Sequence, residues 1–144
     1  VPFYRLLSKY KDFDFVEVGI QSQCNSRNHL EWAQSKGAHV LSYDEILYSG
    51  RPQHETILDF LEKFLLKKRA CFISVDIDGF SNAYAPGCSQ SFATGFDAES
   101  FFKVFKVLNE RLDVRLLGIY EVSPPLDQNN KTSKLAAQIM FESL

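Results

Sequence analysis

Apolar runs alternate along the chain with stretches in which apolar positions recur every three or four residues. The apolar runs predict buried strands at residues 13–20, 38–44, 71–78 and 114–122. Each run precedes a segment with helical spacing, at residues 26–37, 52–69, 97–112 and 130–144. Strands that alternate with helices of this length are typical of βαβ units. The pattern therefore predicts a three-layer α/β/α fold with a mainly parallel sheet.

Residues at the ends of the helical segments support these boundaries. Ser26 and Asp97 are suitable N-caps, and Gly37 follows a predicted helix end. Pro52 lies in a first turn, and the basic residues at 67–69 suit the negative end of a helix dipole. No linker, repeat or low-complexity tract interrupts the pattern, so residues 1–144 are predicted to form a single domain or one part of a larger domain.

Composition narrows the function classes. The 144 residues carry a net charge of −2 and are 45% hydrophobic, which is typical of a globular domain and provides no basic patch for nucleic acid or anionic membrane. No apolar run approaches the roughly 20 residues of a membrane span. Cys24, Cys71 and Cys88 show no metal-ligand or disulfide spacing, and the start of the chain has no signal-peptide pattern. A cytoplasmic location with reduced thiols is expected.

The apolar run 71–78 ends in two aspartates, Asp76 and Asp78. In a strand these positions share one face, with Cα atoms about 7 Å apart, while Val75 and Ile77 face the core. In open parallel sheets the carboxyl ends of the strands form the edge where ligands bind. Paired carboxylates are costly there unless a cation compensates them, and hard oxygen ligands favour Mg²⁺, Mn²⁺ or Ca²⁺.

Two carboxylates in so short a motif can also be a solvated pair that binds nothing. The segment after them favours a site, because residues 79–96 form a long irregular stretch with Pro86 and several glycines. Loops of this kind commonly shape binding sites.

Residues 74–87, "SVDIDGFSNAYAPG", resemble the signature of the ureohydrolase family, which comprises arginases, agmatinases and formimidoylglutamases. Residues 16–46 and 120–140 are similar to two further family segments, and the "LD…T…LAA" pattern of the second is most like formimidoylglutamases. The resemblance covers essentially the whole chain and identifies it as the C-terminal half of an arginase-like α/β fold.

The resemblance implies hydrolysis of a linear amidine C–N bond, with a water acidified by two Mn²⁺ ions. It assigns Asp76 and Asp78 as metal ligands and Glu121 as the catalytic acid that holds the amidine. A carboxylate such as Glu121 can accept two parallel N–H bonds from a planar amidinium; the alternative is a surface salt-bridge acid. A small amidine substrate is thus the expected partner, and a homo-oligomer is compatible with this interpretation.

Several positions depart from the family pattern. Ser123 replaces an asparagine, Asn82 replaces an aspartate of many relatives, and Gly118 stands where arginases have another acid. The histidine- and aspartate-bearing motifs that supply the other metal ligands are not in these residues. His29, His39 and His54 lack their spacing and are interpreted as packing or surface residues. This chain alone is therefore expected to lack a complete centre and to be inactive.

Loop 21–27 after the first strand bears on the choice of substrate. Arginases carry acids there, whereas this loop offers neutral donors such as Gln21 and the guanidinium of Arg27. These groups suit a substrate with carboxylates, and the sequence predicts that Gln21 and Arg27 contact formimidoylglutamate. The equal alternative for Arg27 is a solvent-exposed residue at a helix start. The competing functions are an agmatinase or guanidino-acid hydrolase and a metal-free, non-catalytic α/β module.

Overall fold

A computed structural model describes residues 2–66 and 68–144, so Lys67, whose charge was assigned to a helix end, lies outside it. Helices and strands alternate as the apolar pattern predicts. Two short 3₁₀ turns lie at Ile77–Gly79 and Pro124–Leu126. The elements are α1 (Pro2–Lys9), β1 (Val16–Ile20), α2 (Arg27–Ser35), β2 (His39–Ser42), α3 (Tyr43–Leu47), α4 (Gln53–Leu65), β3 (Ala70–Asp76), α5 (Ala98–Arg111), β4 (Asp113–Tyr120) and α6 (Lys131–Glu142).

The chain divides by its internal contacts into two compact units, with the boundary after Gly50. In the first unit β1 and β2 pair in parallel, with α2 as the crossover between them. Tyr4 of α1 stacks on Trp32 of α2 with ring centroids 4.6 Å apart. This unit is therefore a single βαβ motif with an additional helix at each end.

The second unit repeats the arrangement on a larger scale. Strands β3 and β4 pair in parallel with α5 as the crossover, and the register runs from Ala70 opposite Asp113 to Asp76 opposite Tyr120. Its core contains side chains from β3, the loop after it, α5 and α6. The buried members are Val75, Ile77, Phe80, Ala85, Cys88, Phe105, Leu135 and Ile139. The parallel pairing and the fold class predicted from the sequence are confirmed.

The predicted boundaries differ from the observed ones where capping signals were overlooked. The strand predicted at 38–44 ends at Ser42, whose side chain and that of Glu45 form a reciprocal capping box that starts α3. Helix α1 was not predicted. Asp97 caps α5 as expected by accepting from the Ser100 N–H at 2.7 Å, whereas Ser26 occupies the N-cap of α2 without a side-chain bond.

Strand β3 also ends earlier than predicted. It stops at Asp76, and Asp78 lies in the 3₁₀ turn Ile77–Gly79. Among the described helices, none is both long and apolar enough to cross a membrane.

Candidate functional site

Three carboxylates lie where β3 and β4 end. Asp76 is the last residue of β3 and pairs with Tyr120, the last residue of β4, so Glu121 follows directly beside it. Asp78 belongs to the 3₁₀ turn that continues from β3. The parallel register therefore brings Asp76, Asp78 and Glu121 to one edge of the sheet, as the sequence predicts for adjacent strand ends.

The three carboxylates repel one another in this arrangement. Burial is the largest cause that raises the pKa of Asp76, followed by the charge of Asp78 and a hydrogen bond between the two carboxyl groups, and the pKa reaches about 6. Burial and the charge of Glu121 also raise the pKa of Asp78. Neither aspartate forms an ion pair with lysine or arginine within residues 2–66 and 68–144. No lysine or arginine of the described residues therefore compensates the charge of the pair.

The surroundings of the pair are less enclosed than the sequence suggests. Asp76 is exposed as a residue although its carboxyl group is partly buried, and Asp78 is half-buried. Val75 and Ile77 are 6% and 0% exposed and belong to the core. The prediction that Val75 and Ile77 face the core is therefore confirmed. The opposite face of this sheet is open, with Phe72 43% exposed.

Glu121 adopts a backbone conformation that is unusual for a residue with a side chain. Its φ is +64°, in the left-handed region, which costs on the order of 1–2 kcal/mol for a residue other than glycine. Ser89 Oγ lies 3.4 Å from Glu121 Oε2 and is positioned to donate to it. Such strain occurs frequently where a side chain must be aimed for function. Ser89 was not predicted as part of the site, since no spacing rule links it to Glu121.

The loop after the aspartates is ordered by its own backbone. Phe96 N–H donates to the Gly79 carbonyl at 2.9 Å, and Ser81 N–H donates to the Phe96 carbonyl at 3.2 Å. At Gly95, with φ +155°, an added Cβ would lie 2.5 Å from the Phe80 carbonyl carbon, so only glycine allows this approach. The expected site-shaping loop is therefore tied back to the segment that carries Asp78.

Cys88 is a further residue near the aspartates that sequence reasoning did not place there. It is 3% exposed, and its Sγ donates to the Ala85 carbonyl at 3.3 Å. Burial, with smaller effects of Asp78 and Asp76, raises the pKa of its thiol. Cys88 is thus a neutral packing residue, consistent with the reduced thiols expected from the sequence.

Gln21 and Arg27, the other predicted site residues, belong to the first unit. Arg27 is the first residue of α2; its side chain is 89% exposed and lies 3.6 Å from Glu31. Gln21 is 6% exposed, and its side-chain oxygen accepts from Gln23 Nε2. Their contact with a substrate remains a prediction.

The histidines behave as packing and surface residues do. His54 Nδ1 lies 3.3 Å from Ser100 Oγ on α5, while His29 is in α2 and His39 is in β2. Across the described residues, no three His, Cys, Asp or Glu side chains are arranged to hold one metal ion.

The aspartate pair nonetheless fits part of a site for a hard divalent cation. Its two carboxylates offer oxygen ligands, and their pKa values are raised by partial burial first and by neighbouring negative charge second, both of which a cation would offset. Manganese favours octahedral coordination by oxygen, so two carboxylates form only a fraction of the ligand set. The described chain therefore provides an incomplete site.

Comparisons with known proteins show which family and which folds the chain resembles. The arginase family model matches residues 1–144. A formimidoylglutamase of Staphylococcus haemolyticus is 28% identical over 144 residues, which are 99% of this chain and 45% of that protein. The crystal structure of Bacillus subtilis formimidoylglutamase superimposes with a TM-score of 0.86 at 27% identity, covering 99% of this chain and 44% of its own.

A Trypanosoma cruzi formiminoglutamase whose structure contains Mn²⁺ has the same fold, with a TM-score of 0.81 at 21% identity over 99% of this chain and 48% of its own. The chain spans less than half the length of each of these relatives.

Proposed function

Because the chain belongs to the arginase family, we propose that it supplies part of the active site of a manganese-dependent amidine hydrolase. The proposed reaction converts N-formimidoyl-L-glutamate and water to L-glutamate and formamide. The observation that carries this proposal is the convergence of Asp76, Asp78 and Glu121 at the ends of two parallel strands. The relatives named formimidoylglutamase support the choice of substrate.

Asp76 and Asp78 are the proposed ligands for two Mn²⁺ ions. When bound, the metal pair supplies a water acidic enough to act as a nucleophile near neutral pH. Asp76 and Asp78 would hold the two ions at the end of β3, where the mutual repulsion of the two carboxylates favours a cation. The remaining ligands would come from a part of the full-length protein outside these residues, so we expect the isolated chain to be inactive.

Glu121 is the proposed substrate-orienting residue. The amidinium group is planar and cationic, and one carboxylate can accept two of its N–H bonds in parallel. Glu121 follows the strand residue that pairs with Asp76, so an amidine held by it would lie beside the aspartate pair. Holding the reacting carbon there lowers the entropic part of the barrier.

The carboxylate ends of the substrate need binding residues of a different kind from Glu121. Formimidoylglutamate carries two carboxylates, and the proposed donors are the Arg27 guanidinium and the Gln21 amide. Arg27 is exposed and carries a positive charge that can meet a carboxylate.

The proposal is tested with the full-length protein that contains this sequence. Formamide and glutamate release from N-formimidoyl-L-glutamate is measured with Mn²⁺ and after chelation, and urea release is measured from agmatine and guanidino acids. We expect formamide release that chelation abolishes. Urea release without formamide release would instead support the agmatinase or guanidino-acid hydrolase.

The metal-free module is the second candidate, favoured by the absence of a three-ligand group among residues 2–66 and 68–144. Metal content of the full-length protein after purification with Mn²⁺ separates the two. About two Mn²⁺ per chain, the number in the proposed centre, supports the hydrolase. A full-length protein that retains no Mn²⁺ and hydrolyses no amidine supports the module.

A further inference from the structure

We propose that Thr132, at the start of α6, is a positioning residue that fixes Glu121 relative to the aspartate pair. The inference rests on the function proposed above for Glu121. It concerns a contact between two loops: residues 85–89, which follow the aspartates, and residues 121–127, which follow β4.

Gly87 is the point where the two loops meet. Its N–H donates to Thr132 Oγ1 at 2.7 Å, and its carbonyl accepts from the Ser123 N–H at 2.8 Å. A Cβ at Gly87 would lie 2.6 Å from Asp127 Cβ, so the absence of a side chain permits this close approach. The carbonyl of Gly87 thus joins the loop after Asp78 to the loop that begins with Glu121, and its N–H joins the same point to Thr132 of α6.

Thr132 connects this junction to the helix behind it. The residue is 0% exposed, and its own backbone N–H donates to the Asp127 carboxylate. Asp127 in turn accepts from the backbone N–H groups of Thr132 at 3.0 Å and Ser133 at 2.9 Å. Thr132 therefore links the Gly87 amide, through its hydroxyl, to the carboxylate that caps α6, through its backbone N–H. The hydroxyl is needed because it is the group that accepts from the Gly87 N–H.

The bonds at this junction explain why Glu121 can hold its left-handed backbone. Glu121 lies two residues before Ser123, and Ser89, which lies two residues after Gly87, donates to its carboxylate at 3.4 Å. A residue with φ +64° keeps that conformation only when its neighbours are held in place. Loss of the Thr132 hydroxyl leaves the buried Gly87 N–H without a partner and releases both loops together.

A double-mutant cycle in the full-length protein tests this role. Thr132→Val removes the hydroxyl at similar volume, and Thr132→Ser keeps it. We expect Thr132→Val to lower kcat/KM for N-formimidoyl-L-glutamate about 10- to 100-fold at unchanged Mn²⁺ content, the range seen when supporting residues of a site are removed. Thr132→Ser should retain activity within about threefold of the parent, since the hydroxyl persists. In a Glu121→Gln background, Thr132→Val should add little.

Hydrogen exchange provides a readout that does not depend on catalysis. Thr132→Val should increase amide exchange in residues 85–89 and 121–127 together, whereas Thr132→Ser should not. Three results would overturn the proposal: an undiminished effect of Thr132→Val in the Glu121→Gln background, no rescue by serine, or faster exchange confined to residues 85–89. A parent protein that hydrolyses no amidine but shows the paired exchange response would contradict the proposed function and leave the junction established.

Discussion

The second unit places two groups of carboxylates in opposite electrostatic environments. At the strand ends, burial and mutual repulsion raise the pKa of Asp76 to about 6 and also raise that of Asp78. At the start of α6, burial tends to raise the pKa of Asp127, but the N–H and O–H groups of Ser133 and Thr132 outweigh it and hold the pKa well below its usual range.

This difference in pKa distinguishes a candidate ligand-binding site from a carboxylate with a structural role. The Asp127 carboxylate is satisfied by donors of its own chain and stabilises the helix start. In the pair at the strand ends, the backbone N–H of Asp78 lowers the pKa of Asp76 by less than burial and repulsion raise it, and no lysine or arginine of the described residues pairs with either aspartate. Uncompensated carboxylates at a sheet edge are candidates for a functional site because the chain gains no stability from their charge.

The largest difference between the two sites is expected when the same substitution, aspartate to asparagine, is made at Asp76 and at Asp127. In the full-length protein, Asp76→Asn should lower amidine hydrolysis by about 10³-fold or more, because a ligand that contributes several kcal/mol to the metal site is lost. Activity with saturating Mn²⁺ and the bound metal are the measurements.

Asp127→Asn is the matched control. It removes a charge that accepts three hydrogen bonds from Thr132 and Ser133. We expect a lower Tm at unchanged Mn²⁺ content. If Asp127→Asn released the metal while Asp76→Asn retained it, the assignment of the two groups would be reversed.

A second prediction concerns Gly87, where the two regions touch. Gly87→Ala should destabilise the protein by about 1–3 kcal/mol, the usual cost of overpacking a close contact, since the new Cβ would lie 2.6 Å from Asp127 Cβ. Urea denaturation measures the change. Gly79→Ala is the control, because its Cβ would meet the Phe96 ring at an ordinary 3.5 Å. Equal destabilisation by both substitutions would contradict the close packing at Gly87.

The third prediction is a difference in pH dependence, measured as the free energy of unfolding of the metal-free protein. The raised pKa of Asp76 contributes stability below about pH 4 that is lost as the pH rises through about 6. Because Asp76 is exposed, the loss should be only on the order of 1 kcal/mol. The lowered pKa of Asp127 contributes stability at neutral pH that is lost as the pH falls below the usual aspartate range.

The two asparagine variants isolate these contributions. Asp76→Asn should remove the loss of stability between about pH 4 and 6, and Asp127→Asn should reduce the loss in acid. Identical pH profiles for both variants would show that the two carboxylate environments do not differ as described.

The smallest effect is expected outside these two regions, at Arg27. Arg27→Ala should raise KM for N-formimidoyl-L-glutamate about threefold and leave kcat nearly unchanged, since an exposed charge contributes up to about 1 kcal/mol. Glu31→Ala, which removes the neighbour 3.6 Å from Arg27, is the control and should not raise KM. An unchanged KM in Arg27→Ala would remove Arg27 from the substrate site.

Local patterns were sufficient for the alternation of strands and helices and for the aspartate pair. Asp76 and Asp78 follow an apolar run, and parallel pairing then places Glu121 beside them. The motif containing Asp127 and Thr132 was recognised as part of the family resemblance, but its role was not, because its partner Gly87 is 45 residues from Thr132. Local signals for α3 were present in Ser42 and Glu45 and were overlooked in favour of the apolar run before them.

Neighbouring residues are enough to indicate which segments form strands and which acids lie near their ends, because apolar periodicity is a local property. Which carboxylates are balanced by donors depends instead on contacts in the folded chain. The turn at Ile77–Gly79, the left-handed Glu121 and the hydroxyl of Thr132 depend on contacts between segments far apart in the chain. The electrostatics of a carboxylate are set by those distant neighbours, so the same residue type forms a candidate metal ligand at Asp76 and a helix cap at Asp127.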